Sequence, residues 1–204
     1  MIITEKMAQK AFDEVAEMRL ILGLQNKPNA ECPRLVKDRE EAYRSGVSRR
    51  SFSESDEARC SGLYFTKHNI IWVDTRNRYE WETKETLWHE MCHAHQARGK
   101  EDPYDSVMES NISYREKPSE KEAFAISRIM VIADVLRIRY GINLEHHEYQ
   151  KLYTSYKKMY FDAHGVRLPT CIRKLVNKKK REKGFSRPSS RYLSFDRYFK
   201  DDEK

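Results

Sequence analysis

The sequence has few cysteines and no long apolar run. Its four cysteines, Cys32, Cys60, Cys92 and Cys171, lie far apart, and none belongs to a CxxC pair. This spacing argues against a disulfide framework and against a cysteine-based zinc knuckle, and it fits a reducing compartment. Apolar stretches such as 129–133 are too short to cross a bilayer, and charged residues precede any apolar region of an export signal. The sequence therefore predicts a soluble, unexported protein without a membrane partner, in the cytosol of a bacterium or of a phage-infected host.

The composition predicts one folded core with an appended basic segment. Hydrophobic residues make up 39% of the 204 residues and charged residues 35%, which is enough apolar material to close a modest core. The net charge is +7, and residues 178–204 contain 10 Lys and Arg against 5 Asp and Glu, a local charge of +5. We therefore predict a catalytic domain over residues 1–177 and a basic tail over residues 178–204.

The apolar spacing predicts an α+β fold. Residues 62–65 and 70–73 are rich in β-branched and aromatic side chains and are separated by four polar residues, a pattern typical of a hairpin. Residues 26–56 contain two prolines and clustered serine and arginine, which favours loops around at most one short helix. Apolar residues at helical spacing predict the remaining elements. These are helices over 4–24, 83–97, 119–140 and 145–163, and a shorter amphipathic stripe over 168–176.

The helix predicted over residues 83–97 carries an H-E-x-x-H motif. In this motif His89 and His93 are four residues apart, so both imidazoles lie on one helix face and can share a zinc ion (Zn²⁺). Glu90 is placed to accept a proton from a water molecule that the zinc activates. A metzincin would continue with glycine three residues after the second histidine and histidine six residues after it. Gln96 and Gly99 occupy those places, which excludes that class.

The sequence offers several candidates for the third zinc ligand. His164 precedes Gly165 and an apolar stripe at helical spacing, and Glu120 and Glu122 lie at the start of the next predicted helix. Each has a structural alternative. Ser119 and Glu122 match a capping box, in which the carboxylate only accepts a backbone N–H bond, and His164 could simply end a helix before a glycine. His164 is the favoured ligand, with both glutamates left open.

The motif also carries a family resemblance. Residues 86–94, Thr-Leu-Trp-His-Glu-Met-Cys-His-Ala, resemble the active-site helix of SprT-like zinc metallopeptidases, and residues 164–177 are similar to the downstream His-Gly segment of that family. The resemblance implies an α+β zincin core, zinc bound by His89, His93 and His164, and Glu90 as the catalytic base. A weaker similarity to gluzincins of the ImmA/IrrE type implies Glu120 or Glu122 as third ligand instead.

We therefore predict a zinc metallopeptidase that hydrolyses peptide bonds. A strand beside the zinc helix favours peptides over other amides, because such a strand can pair with an extended backbone. The tail mixes basic and aromatic residues, a combination that suits nucleic acid, and its basic run is Lys178, Lys179, Lys180 and Arg181. The alternatives are a nucleic-acid-associated protein and a structural or assembly protein that retains a zinc site without turnover.

Overall fold

The computed structural model describes residues 2–48, 61–76, 78–96, 117–158, 166–167, 170–184 and 192–193. Helices and a small mixed sheet together confirm the predicted α+β class. The helices are α1 (Glu5–Ile21), α2 (Arg39–Arg44), α3 (Glu80–Gln96), α4 (Pro118–Tyr140), α5 (His146–Lys158) and α6 (Thr170–Glu182). The strands are β1 (Arg34–Val36), β2 (Gly62–Phe65), β3 (Ile70–Val73), β4 (Val166–Arg167) and β5 (Tyr192–Leu193).

The predicted hairpin forms the greater part of the sheet. Strand β2 pairs antiparallel with β3, and β1 pairs parallel with the other side of β3, so the strand order is β1-β3-β2. All four residues of β3 are buried because both faces of the strand are covered. Ile71 and Val73 join the main core, whereas Ile70 and Trp72 join a smaller cluster with Val36 and residues of α2.

The main core lies between α1, α3, α4 and α5. Helix α1 begins with Thr4 as N-cap, whose hydroxyl accepts a hydrogen bond from the Met7 N–H at 3.3 Å. It packs against α3 and α4, and α4 packs in turn against α3 and α5. Helix α4 ends where Gly141 adopts a left-handed backbone conformation with φ 56°, which confirms the predicted stop.

Helices α3 and α4 run antiparallel, and this pairing positions the site. Glu85 near the start of α3 meets Arg128 in α4, whereas His93 near the end of α3 meets Glu120 in the first turn of α4. The first turn of α4 therefore lies beside the carboxyl half of the motif helix. Strands β2 and β3 pack against the same helix, as predicted.

Several local predictions are corrected. Residues 34–36 form a strand where loops were expected, because their hydrogen-bonding partner is the distant strand β3. Helix α3 begins at Glu80 rather than residue 83, and α5 ends its described part at Lys158. Helix α6 extends past the predicted apolar stripe 168–176, so the basic run 178–181 is helical. Within the described residues, no helix is both long and apolar enough to span a bilayer.

Candidate metal centre

The two histidines of the motif face each other across one turn of α3. Their ring centroids are 4.8 Å apart, and the Nε2 atoms of His89 and His93 are separated by 3.2 Å. This is the arrangement expected for residues i and i+4 on one helix face. Both side chains are largely buried, with 15% and 17% of their surface exposed. The pair is therefore shielded from most of the solvent but still accessible to a small ion.

Glu120 in α4 completes the cluster. Its Oε2 lies 3.2 Å from His89 Nε2, and its Oε1 lies 3.3 Å from His93 Nε2. The three side chains each offer one ligand atom within 4.8 Å of the others. Two tetrahedral ligands held about 2.0–2.1 Å from one zinc ion lie about 3.3 Å apart, so the donor types and separations both fit zinc.

The same geometry couples the three groups electrostatically. Burial alone would lower the pKa of His93, but hydrogen bonding and charge attraction to Glu120 outweigh it and raise that pKa to about 9. Burial would likewise raise the pKa of Glu120, yet contacts with both imidazoles hold it well below its usual range. The cluster therefore strongly favours an ionised carboxylate facing the two ring nitrogens.

Glu90, the predicted base, is buried between α3 and the hairpin, with 7% of its surface exposed. Burial raises its pKa, while the neighbouring histidines and a backbone hydrogen bond from Tyr64 in β2 oppose that rise. Gly62 in the same strand makes this approach possible. A Cβ atom at Gly62 would lie 3.0 Å from Glu90 Cγ and 3.2 Å from Glu90 Oε1.

Glu122 does not face the histidines. It is buried against Arg19 of α1, with which it forms an ion pair, and its Oε1 accepts a hydrogen bond from Gln96 Nε2 at 2.8 Å. The capping-box alternative for Glu122 does not hold either, because the N-cap of α4 is Lys117, which makes no side-chain cap bond. Of the two glutamates that the sequence left open, Glu120 is the one brought to the site.

His164, the third ligand favoured by the sequence, lies outside the described residues. The same holds for most of the tail, but the basic run is described. Lys179 Nζ donates to Glu148 at 2.8 Å, and Lys180 is 7% exposed with its ammonium 4.6 Å from the centre of the Tyr140 ring. Two lysines expected to meet nucleic acid thus contact the protein itself. Lys178 is 72% exposed, and Arg181 is also exposed.

Sequence reasoning missed the polar residues that surround the cluster. Gln96 was weighed only as a departure from the metzincin pattern, yet its Oε1 lies 2.8 Å from His93 Nδ1. The Gln96 position, three residues after a motif histidine, was the one available signal. Nothing in the sequence pointed to the contacts of Arg19 or to the 2.6 Å ion pair between Glu85 and Arg128, because each partner comes from a distant part of the chain.

Comparison with known proteins identifies no relative of this chain. A scan against family models, a search of curated proteins and a search of solved structures each gave no match. The resemblance to SprT-like and ImmA/IrrE-type proteins therefore stays a prediction carried by the motif segments alone.

Proposed function

We propose that this protein is a zinc-dependent metallopeptidase, with zinc held by His89, His93 and Glu120 and with Glu90 as general base. The single observation that carries the proposal is the convergence of two imidazole Nε2 atoms and one carboxylate, all 3.2–3.3 Å apart. Two histidines on one helix and a glutamate on the next form the ligand set of gluzincins. The family proposal therefore shifts from the SprT-like set towards the ImmA/IrrE-like set.

The chemistry divides between the ion and the chain. Bound zinc would act as a Lewis acid that polarises the scissile carbonyl and lowers the pKa of water to about 7. Glu90 would accept a proton from the attacking water and deliver it to the leaving amine nitrogen as the C–N bond breaks. Because Glu90 is buried beside β2, its orientation is set by contacts with the protein rather than by bulk water.

Strand β2 supports a peptide as the substrate. It is an outer strand of the described three-stranded sheet. The Asp74 N–H donates to the Ser61 carbonyl at 2.8 Å, so by alternation the backbone groups of Gly62 and Tyr64 lie on the side away from β3, where the Tyr64 N–H is bonded to Glu90. An extended peptide aligned along this side would pass next to Glu90.

A metal site without turnover is the competing function. Such a site would use the same three ligands and, because structural zinc is four-coordinate, would close the fourth position with a further protein group instead of leaving it open. The nearly isosteric variant Glu90→Gln distinguishes the two, because Glu90 is not among the proposed ligands. It should bind one zinc per chain like the wild type, while peptide hydrolysis falls by ~10²–10⁴-fold.

The measurement is zinc content of the purified full chain, followed by cleavage of a peptide library by the zinc-loaded protein. Glu80→Gln is the matched control, because this carboxylate lies on the same helix and its side chain is 48% exposed. Full activity in zinc-loaded Glu90→Gln would refute the base assignment. A wild type that binds zinc but cleaves nothing would favour the structural function, and a wild type that binds no zinc would refute the metal centre.

A further inference from the structure

We propose that Arg19, Glu122 and Gln96 form an orienting relay that fixes the His93 proton on Nδ1 and so presents Nε2 to the metal. The part that concerns the metal rests on the proposed function. The hydrogen-bond chain itself does not, since it is formed by the protein alone. All three relay residues are buried, with 4–6% of their surface exposed.

The relay begins with the amide of Gln96, whose orientation is forced. Its Nε2 donates to Glu122 Oε1 at 2.8 Å and to the Ser119 carbonyl at 3.1 Å. A flipped amide would place its oxygen against a carboxylate and a carbonyl, two groups that only accept hydrogen bonds. The Gln96 oxygen must therefore face the other way, where it lies 2.8 Å from His93 Nδ1.

This orientation selects one tautomer of His93. An amide oxygen only accepts, so Nδ1 must carry the hydrogen that Gln96 receives. In a neutral imidazole the other nitrogen, Nε2, then has its lone pair free to bind a cation. Nε2 is the atom that faces Glu120 and His89, so the relay and the ligand cluster agree on which nitrogen serves the metal.

Arg19 holds the far end of the relay. Its guanidinium pairs with Glu122, while its Nε donates to Asn26 Oδ1 at 2.9 Å and one terminal nitrogen donates to the Gln25 carbonyl at 2.7 Å. These contacts fix the guanidinium and supply the counter-charge that a buried carboxylate needs. Helix α1 is thereby connected through α4 to a ligand on α3, and the three relay members are positioning residues rather than catalytic ones.

The relay can be tested by removing its acceptors one at a time. Gln96→Met removes the oxygen that accepts from His93 Nδ1, so the tautomer preference is lost. Glu122→Met removes the acceptor of the Gln96 amide and leaves only the Ser119 carbonyl to orient it. Glu122→Gln is the conservative variant. Arg19 and Gln96 both donate to the same oxygen of Glu122, so an amide oxygen in that place still accepts from both and the order is kept.

We expect Gln96→Met and Glu122→Met to bind zinc about 10–100-fold more weakly than the wild type and Glu122→Gln to keep most of the affinity. Zinc affinity is measured by competition with a chelator on the full chain. ¹H–¹⁵N spectra of the metal-free proteins, recorded at a pH where His93 is neutral, show which ring nitrogen of His93 carries the proton. Gln150→Glu, an exposed substitution in α5, is the matched control and should change neither property.

The outcomes separate the relay from a merely structural network. A structural role would lower the thermal midpoint of the metal-free variants without moving the His93 proton and without a difference in zinc affinity between Glu122→Met and Glu122→Gln, and that result would overturn the proposal. If the wild type binds no zinc, the proposed function fails. The relay is then judged on the metal-free protein at a pH where His93 is neutral, and a hydrogen on Nε2 instead of Nδ1 would refute it.

Discussion

Gly62 is the position where one methyl group tests the link between the hairpin and Glu90, the proposed catalytic base. A Cβ atom there would lie 2.6 Å from Thr86 Cγ2 and 3.0 Å from Glu90 Cγ, whereas ordinary contacts are 3.4–4 Å. Both neighbours belong to α3, so the added methyl group must push β2 and α3 apart or displace the two side chains. We therefore expect Gly62→Ala to disturb Glu90 while leaving the proposed zinc ligands on α3 and α4 in place.

The size of the effect follows from overpacking. The closest contact is about 0.8 Å short of an ordinary one, and overpacked cores typically lose about 1–3 kcal/mol of unfolding free energy. A displacement of about 1 Å at a catalytic group costs about 10²-fold in rate. Gly62→Ala should therefore unfold at lower urea concentration, keep its zinc, and lose about two orders of magnitude in kcat/KM.

Thr86→Ser provides the matched rescue, because it deletes the methyl group that is nearest to the added Cβ atom. The double variant Gly62→Ala/Thr86→Ser should regain most of the lost stability. Its activity should recover less, since the 3.0 Å and 3.2 Å contacts with Glu90 remain. Urea unfolding, zinc stoichiometry and peptide cleavage are measured on all four proteins. Wild-type stability and activity in Gly62→Ala alone would refute the close approach of β2 to Glu90.

Three further predictions concern the ligand set, an ion pair and the basic helix. Glu120→Gln should lose bound zinc on dialysis because the carboxylate is a proposed ligand, whereas His164→Ala should retain it; the reverse result, by metal analysis, would restore the SprT-like set. Burial would raise the pKa of Glu148, but its hydrogen bond with Lys179 outweighs that effect and lowers the pKa in the folded protein. The stability that the ionised Glu148 contributes is therefore lost as the pH falls through this lowered pKa. Glu148→Gln should therefore cost about 1–3 kcal/mol in urea unfolding at pH 7 and progressively less below about pH 4; a pH-independent loss would contradict this. If the basic helix binds DNA or RNA, reversing Lys178 and Arg181 to glutamate should weaken salt-dependent binding in a titration without unfolding the protein, and unchanged affinity would exclude these two residues.

Much of the fold was predictable because its signals are local. The hairpin, the motif helix and the stop at Gly141 each depend on residues close together in the chain. Strand β1 was missed because it has three residues, follows Pro33 and acquires its identity only by pairing with β3, which lies far along the chain. The helical continuation past residue 177 was hidden because Lys179 and Lys180 look like solvent-exposed charges until their contacts with Glu148 and Tyr140 are known.

The third ligand could not be chosen from the sequence for a geometric reason. Glu120 and Glu122 are two residues apart, which places their side chains about 200° apart around one helix. Either could face α3, depending on how α4 is rotated about its axis. That rotation is set by the packing of the whole helix and by Arg19, which lies about a hundred residues earlier in the chain and forms an ion pair with Glu122.

The two neighbouring carboxylates also differ in their counter-charges, and this difference is the physical reason to place a metal at one of them. Glu122 is paired with a guanidinium, a cation at every physiological pH. The ion pairs of Glu120 are with His89 and His93, which are cationic only when protonated. A buried carboxylate is stable only with a compensating charge. A divalent cation would provide that charge permanently and would use the lone pairs that the two imidazoles expose once their Nε2 protons have left.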